Sequence, residues 1–167
     1  MKLVRFGAAG AEKPGLIDGD GDLRDLSHHI ADIAGETLSP EGLAALAALD
    51  ASSLPRIAEK QRLGPCVAGT GKFICIGLNY SDHAREAGLP VPTEPIVFMK
   101  ATSAICGPDD DLVIPRGSTK TDWEVELGIV IGKTAKHVSK EDALEQLAGY
   151  CFLHDVSERA FQNERQG

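Results

Sequence analysis

Residues 123–131 constrain the fold most, because this segment is rich in Val, Ile and Leu and nevertheless carries two acids. Its β-branched content predicts a strand. Side chains alternate along a strand, so Glu124 and Glu126 point to one face, roughly 7 Å apart. The other face carries Val125 and Leu127 and is apolar. Two carboxylates on one face of an apolar strand are costly unless a positive charge compensates them.

A divalent cation is one way to compensate the two carboxylates, since hard cations prefer carboxylate oxygens. The alternative is a strand face open to solvent, on which the acids meet water or lysine. Asp155 stands near the end of a second predicted strand, residues 149–156, and either supplies a third oxygen ligand or caps a helix that begins near Ser157. The adjacent His154 is predicted to be packed or solvent-facing, because an all-oxygen set favours Mg²⁺ or Mn²⁺ over zinc.

A histidine and a glutamate lie three positions apart in a short predicted helix, residues 79–88. In a helix His83 and Glu86 share one face, so the carboxylate can orient the imidazole toward a water molecule. The alternative is an exposed pair that contributes only a few tenths of a kcal/mol. Lys100 ends another predicted strand, and it either pairs with an acidic substrate or extends its ammonium group into water.

The order of the predicted elements favours a mixed α+β fold over alternating βαβ units. Strands are predicted at residues 2–7, 15–18, 72–77, 96–100, 112–115, 123–131 and 149–156. Helices are predicted at residues 39–49, 79–88, 139–148 and 157–163. A stretch rich in Pro, Gly and Ser, residues 51–71, indicates a boundary between a small N-terminal α+β lobe, residues 1–65, and a second domain, residues 66–167.

Charge and composition narrow the classes of partner. The net charge is −8, from 17 basic and 25 acidic residues, and no basic patch is present, which argues against a nucleic-acid partner. The N-terminus lacks an apolar signal region, and no apolar run approaches the roughly 18 residues of a membrane span, so we expect a cytoplasmic protein without a membrane partner. The cysteines are far apart and form no C-x-x-C pair, which predicts reduced, buried thiols. They are Cys66, Cys75, Cys106 and Cys151.

Several segments follow one another in a characteristic order. They are Ile76-Gly-Leu-Asn-Tyr80-Ser-Asp-His83-Ala-Arg-Glu86, Pro95-Ile-Val-Phe-Met-Lys100, Ala101-Thr-Ser103, Asp122-Trp-Glu124-Val-Glu126-Leu-Gly-Ile-Val-Ile-Gly132 and Gly149-Tyr-Cys-Phe-Leu-His-Asp155-Val-Ser-Glu-Arg159. Together they resemble the fumarylacetoacetate hydrolase superfamily. The opening residues, Leu3-Val-Arg-Phe-Gly with Gly15-Leu-Ile-Asp18, look like the branch of ureidoglycolate lyase and 2,4-diketo-3-deoxy-L-fuconate hydrolase.

This resemblance implies a mixed β-roll, of which residues 66–167 form the first part, with Mg²⁺ or Mn²⁺ as cofactor. It implies metal ligands at Glu124, Glu126 and Asp155, a water-activating pair at His83 and Glu86, and substrate contacts at Lys100 and Arg159. The implied reaction cleaves a C–C bond in a small 2-oxo acid such as an acylpyruvate or a diketo sugar acid. Ureidoglycolate cleavage, oxaloacetate decarboxylation and diene-dioate isomerisation remain open. A homodimer is also implied.

The superfamily continues beyond the third ligand with a lysine-bearing segment and further strands, whereas this sequence stops at Gln166-Gly167. The sequence is therefore expected to be either a fragment of a longer product or a natural truncation. Strands missing from a roll leave apolar faces and sheet edges that must be covered. An inactive, oligomerising remnant of the fold is accordingly the alternative function.

Overall fold

The computed structural model describes residues 1–165, so the last two residues of the predicted second domain, 66–167, lie outside the described part. The expected mixed α+β class is confirmed. The strands are β1 Lys2–Phe6, β2 Lys13–Ile17, β3 Leu23–Asp25, β4 Ile74–Gly77, β5 Ile96–Met99, β6 Thr121–Asp122, β7 Val125–Ile131, β8 Leu147–His154 and β9 Ser157–Glu158. The helices are α1 Pro40–Ala47 and α2 Ser81–Glu86, with 3₁₀ turns at Gly35–Leu38, Ala51–Ser53, Thr102–Ala104 and Ala143–Gln146 and a π-helical turn at Ala160–Glu164.

Strands β1, β2 and β3 form an antiparallel sheet in that order. The connection between β2 and β3 is a tight turn, in which Asp18 N–H donates to the Asp22 carbonyl at 3.0 Å. The Asp18 carboxylate accepts hydrogen bonds from the backbone N–H groups of Asp20 and Asp22, at 3.0 and 2.9 Å. Gly21 adopts a φ of +88°, a conformation that glycine reaches without steric cost. Asp18 and Gly21 therefore stabilise the hairpin turn.

The hydrophobic core of the described residues lies under this sheet. Its buried members are Leu16, Leu26, Leu46 and Leu54. Helix α1 contributes Leu46, and its first turn is capped by the Ser39 hydroxyl, which accepts a hydrogen bond from Gly42 N–H at 3.0 Å. A serine cap followed by proline is a standard helix start, so local sequence and core packing favour the same helix.

The remaining strands pair two by two and antiparallel: β4 with β5, β6 with β9, and β7 with β8. Pairing of Leu127 with Phe152 and of Ile129 with Tyr150 creates an apolar face on β7 and β8, and this face is exposed. Phe152 leaves 88% of its surface exposed. The sequence predicts an apolar face opposite the two acids, and the described residues do not cover it.

Three predicted elements are wrong. Residues 112–115 form no strand. The helix predicted at residues 139–148 is a 3₁₀ turn that ends at Gln146, because β8 begins at Leu147 and pairs with Ile131. Pairing with β7 requires extended backbone and overrides the local helix signal. The helix predicted at residues 157–163 is instead the short strand β9 followed by the π-helical turn. Within residues 1–165, no helix is both long and apolar enough to span a bilayer.

Candidate functional site

The start of β7 and the end of β8 bring the predicted carboxylates together. Val125 of β7 pairs with His154 of β8. Glu124 and Asp155, which lie next to this pair, are therefore neighbours, and Asp155 N–H donates to the Glu124 carbonyl at 2.9 Å. Glu124 and Glu126 are half-buried, whereas Val125 between them is exposed. This alternation agrees with the prediction that both glutamates share one face of the strand.

Lys100 reaches this site from the end of β5. Its ammonium group forms an ion pair with the Asp155 carboxylate and donates to the Val156 carbonyl at 3.0 Å. Only 22% of the Lys100 side chain and 13% of the Asp155 side chain are exposed. The lysine therefore does not extend into water, which was one of the two sequence interpretations. It compensates the charge of a predicted metal ligand.

Arg159 makes the second cationic contact. Its guanidinium lies 2.8 Å from the Asp122 carboxylate and also forms an ion pair with Glu124. The hydrogen bond from Arg159 lowers the pKa of the Asp122 carboxyl, and the backbone N–H of Trp123 adds to this effect. Asp122 was not among the predicted site residues, although the signal was present, because it stands two positions before Glu124 in the same alternation of acids.

Strand β4 adds a thiol to the same region. Burial raises the pKa of Cys75, and the negative charges of Asp155 and Glu126 raise it further, while Lys100 opposes them. Sequence spacing gave no sign of this thiol, since it lies far from the acids along the chain.

His83 and Glu86 lie on α2, three positions apart as predicted. Both side chains are exposed, and the ion pair on this helix joins Arg85 to Asp82 at 3.4 Å. Among the described residues, no hydrogen bond or ion pair joins His83 to Glu86 or either of them to the carboxylates. The helix is anchored by Ala84, which is fully buried. Their predicted catalytic role stays a prediction.

The charged groups around the start of β7 form what we call the carboxylate cluster. Its members are Asp122, Glu124, Glu126, Asp155, Lys100 and Arg159. Four carboxylates and two cations leave a formal charge of −2, which a divalent cation would neutralise. In residues 1–165 no three or more His, Cys, Asp or Glu side chains are arranged to hold a metal ion. Asp155 and Glu124 instead face Lys100 and Arg159. The donor atoms are carboxylate oxygens, which Mg²⁺ and Mn²⁺ prefer, whereas the arrangement in this structure pairs two of the three predicted ligands with protein cations.

Comparison with known proteins supports the resemblance seen in the sequence. A protein of Burkholderia lata named "Putative hydrolase" is 59% identical over all 167 residues, which correspond to 59% of its own length. A protein of Burkholderia multivorans of similar name shows the same identity and coverage. The chain therefore spans about three fifths of the length of the curated relatives that it matches.

Solved structures of similar fold include named hydrolases. Fumarylacetoacetate hydrolase from Exiguobacterium antarcticum is 29% identical with a TM-score of 0.73, covering 98% of this chain and 58% of that one. Maleylpyruvate hydrolase from Sphingobium sp. SYK-6, solved with manganese(II) and pyruvate, is 27% identical with a TM-score of 0.76, covering 95% of this chain and 60% of that one. The family model for the fumarylacetoacetate hydrolase C-terminal domain matches residues 72–167. The chain therefore belongs to the fumarylacetoacetate hydrolase family.

Proposed function

We propose that this chain provides the metal and oxo-acid site of a divalent-metal-dependent hydrolase or lyase. The observation that carries the proposal is the carboxylate cluster, in which four carboxylates and two cations leave a formal charge of −2. Glu124, Glu126 and Asp155 would hold Mg²⁺ or Mn²⁺ there. When bound, such a cation supplies Lewis acidity that stabilises negative charge developing on substrate oxygens.

The cations of the cluster suit an anionic substrate. If Asp155 and Glu124 held a metal ion, the ammonium of Lys100 and the guanidinium of Arg159 would lose these partners and would be free to bind carboxylate or enolate oxygens. This exchange favours a substrate with two neighbouring oxyanions, as a 2-oxo acid with a β-carbonyl group has. The neighbour from Sphingobium, solved with manganese(II) and pyruvate, supports this class.

Water activation is assigned to α2. In this proposal His83 accepts a proton from water at an imidazole nitrogen while Glu86 accepts a hydrogen bond from the other nitrogen. The hydroxide adds to the carbonyl distant from the acid group, the C–C bond breaks, and its electron pair becomes the enolate of the oxo-acid product. Both side chains must approach the cluster for this step, and their exposed positions on a short helix leave room for that movement.

The same chemistry narrows the choice of oxo-acid substrate. An acylpyruvate or a diketo sugar acid is our first choice, in keeping with the branch that the N-terminal residues resemble. Ureidoglycolate and oxaloacetate present similar pairs of oxygens and are alternative substrates. Isomerisation is a further alternative, because a structural neighbour from Mycobacterium smegmatis, 26% identical, is a 5-carboxymethyl-2-hydroxymuconate delta-isomerase. We further propose a homodimeric, cytoplasmic enzyme.

A second candidate function rests on the exposed apolar face of β7 and β8. A chain that leaves such a face uncovered is suited to association, so an inactive, oligomerising remnant of the fold is the alternative. Metal binding separates the two functions, because a remnant needs no cation at its carboxylate cluster.

The test is calorimetric titration of Mn²⁺ into the chain, followed by an assay of pyruvate release from an acylpyruvate. We expect binding that the Glu124→Ala/Glu126→Ala variant abolishes. The matched control is Glu141→Ala/Glu145→Ala, which removes two exposed acids outside the cluster and should bind Mn²⁺ normally. His83→Ala should retain the metal and lose turnover. A folded chain without Mn²⁺ binding would reject the metal site and favour the remnant.

A further inference from the structure

Leu78 adopts a backbone conformation that leucine rarely takes. Its φ is +49°, in the left-handed region, where a Cβ crowds the following carbonyl oxygen. Among the described residues nine have a positive φ, and seven of these are glycines, which reach the region without steric cost. The other exception in that part of the chain, His137, lies in an exposed bend. Strain of this kind persists only where the surrounding structure imposes it.

The strain falls at the junction between β4 and α2. Gly77 ends β4, and α2 begins four positions later. Leu78 is thus the first residue beyond the ladder, where the chain leaves the sheet. Ala84 N–H then donates to the Tyr80 carbonyl at 3.1 Å and closes the first turn of the helix. The left-handed bend therefore sets the direction in which α2 departs.

The bend falls on Leu78 although a glycine precedes it. The Leu78 side chain is half-buried, whereas Ile74 and Ile76 of β4 are exposed. The leucine therefore combines a bend with an anchor, which glycine cannot supply. Ala84 is fully buried and provides a second anchor. Both anchors hold a helix of six residues, which is too short to be stable without tertiary contacts.

The direction of α2 determines the reach of its side chains. Lys100, a member of the carboxylate cluster, follows directly after β5. The opposite end of β5 is Ile96, which pairs with Gly77 at the end of β4. Four residue rises separate Lys100 from Ile96, roughly 13 Å. A six-residue helix is only about 9 Å long, so its direction decides whether His83 and Glu86 approach the cluster.

We propose that Leu78 is a positioning residue, whose left-handed bend directs α2 and thereby sets the approach of His83 and Glu86 to the carboxylate cluster. This inference rests on the proposed function for the roles of His83 and Glu86. The link between Leu78 and the direction of α2 stands apart from it. Leu78 contacts no reacting atom in this proposal and acts through the helix. The strain is retained because a relaxed residue would leave the short helix free to turn elsewhere.

The test compares substitutions at position 78 that separate the backbone from the side chain. Leu78→Gly and Leu78→Ala both remove the anchor, but only glycine relieves the strained bend. Leu78→Gly should therefore have the higher midpoint of thermal unfolding, by roughly 2–4 °C, which reverses the usual order of these two residues. Leu78→Asn should keep the bend, since asparagine tolerates the left-handed region.

Hydrogen exchange of α2 provides the conformational readout. The amides of Ala84, Ala87 and Leu89 donate hydrogen bonds within the helix and at its end. In Leu78→Gly we expect them to exchange roughly tenfold faster than in the unmodified chain, while the amides of β7 and β8 stay unchanged. Leu78→Asn should exchange nearly as the unmodified chain does. The matched control is His137→Gly, which relaxes the same conformation at a bend away from α2 and should change none of these rates.

Turnover separates positioning from a merely structural role. In an active chain, Leu78→Gly should lower kcat for acylpyruvate cleavage roughly tenfold and leave KM and Mn²⁺ affinity unchanged, whereas Leu78→Asn should restore most of the rate. Unchanged exchange of the α2 amides, or an unchanged kcat, in Leu78→Gly would overturn the proposal. A chain that neither binds Mn²⁺ nor turns over would reject the proposed function. Exchange of the α2 amides alone would then decide whether Leu78 directs the helix.

Discussion

Two single residues, Lys100 and Arg159, compensate negative charge in the carboxylate cluster. Asp155 is mostly buried and faces Lys100, so its charge is compensated in the metal-free chain. Glu124 is compensated in the same way by Arg159. Glu126 has no such ion pair among the described residues. A metal ion must therefore compete with two protein cations for two of its three proposed ligands.

Lys100→Met should strengthen Mn²⁺ binding, because it removes the cation that competes for Asp155. We expect a dissociation constant roughly tenfold lower, equivalent to about 1.4 kcal/mol. Without metal, the free energy of unfolding of the variant should be lower than that of the unmodified chain by about 1–3 kcal/mol, because the mostly buried Asp155 carboxylate loses its ion-pair partner. Calorimetry measures the first effect and urea unfolding the second.

The control is Lys120→Met, which removes an ion pair with Glu164 in which both side chains are about half exposed. This variant should leave Mn²⁺ binding unchanged. Weaker Mn²⁺ binding by Lys100→Met than by the unmodified chain would contradict the assignment of Asp155 as a ligand.

At the level of elements, helix α1 shows how contact with the preceding 3₁₀ turn reverses the usual helix preference at one position. Its sequence is rich in Ala and Leu, and its cap is formed by Ser39. After Pro40 at its first position, Gly42 is the residue with the lowest helix propensity in it. The structure explains its presence, because a Cβ there would lie 2.3 Å from the carbonyl oxygen of Glu36.

Gly42→Ala is therefore expected to destabilise the chain, although alanine at an ordinary helix position would stabilise it by about 1 kcal/mol. The clash is with backbone, which cannot move aside cheaply, so we expect a loss of roughly 1–3 kcal/mol in urea unfolding. The comparison variant Ala45→Gly, at an exposed position of the same helix, should cost about 1 kcal/mol. A Gly42→Ala variant more stable than the unmodified chain would contradict this prediction and would show that the preceding 3₁₀ turn moves away from the added methyl group at little cost.

At the scale of the whole molecule, apolar surface is distributed unevenly. The buried leucines of the core come from residues before 65, whereas the strands after residue 74 expose most of their large apolar side chains. The curated relatives are longer than this chain, which spans about three fifths of their length. The uncovered β7–β8 face is therefore the surface from which we expect association of the isolated chain.

Leu127→Glu combined with Phe152→Lys should reduce that association, because it places an opposite-charge pair on directly opposed positions of β7 and β8. We expect several-fold lower fluorescence of an apolar dye and a smaller species in sedimentation velocity. The control Val113→Lys changes an exposed apolar residue outside the strands. Equal association of both variants would place the associating surface elsewhere.

Local sequence predicted those parts of the structure that short-range physics governs. Strands predicted at residues 2–7, 15–18 and 123–131 correspond to β1, β2 and β7, and the helix predicted at residues 39–49 corresponds to α1. Alternation along residues 123–131 placed Glu124 and Glu126 on one face. The sequence failed at residues 139–148, where a helix signal gave way to pairing of Leu147 with Ile131.

By itself the sequence determined the mixed α+β class and the shared face of the two glutamates, because both depend on residue order and on period-two or helical spacing. The motif segments also carried the resemblance to the family. Tertiary structure alone decided that Lys100 neutralises Asp155 and that Arg159 bridges Asp122 and Glu124. These contacts join residues far apart along the chain. Their existence depends on how strand pairs pack against one another, and no local periodicity carries that information.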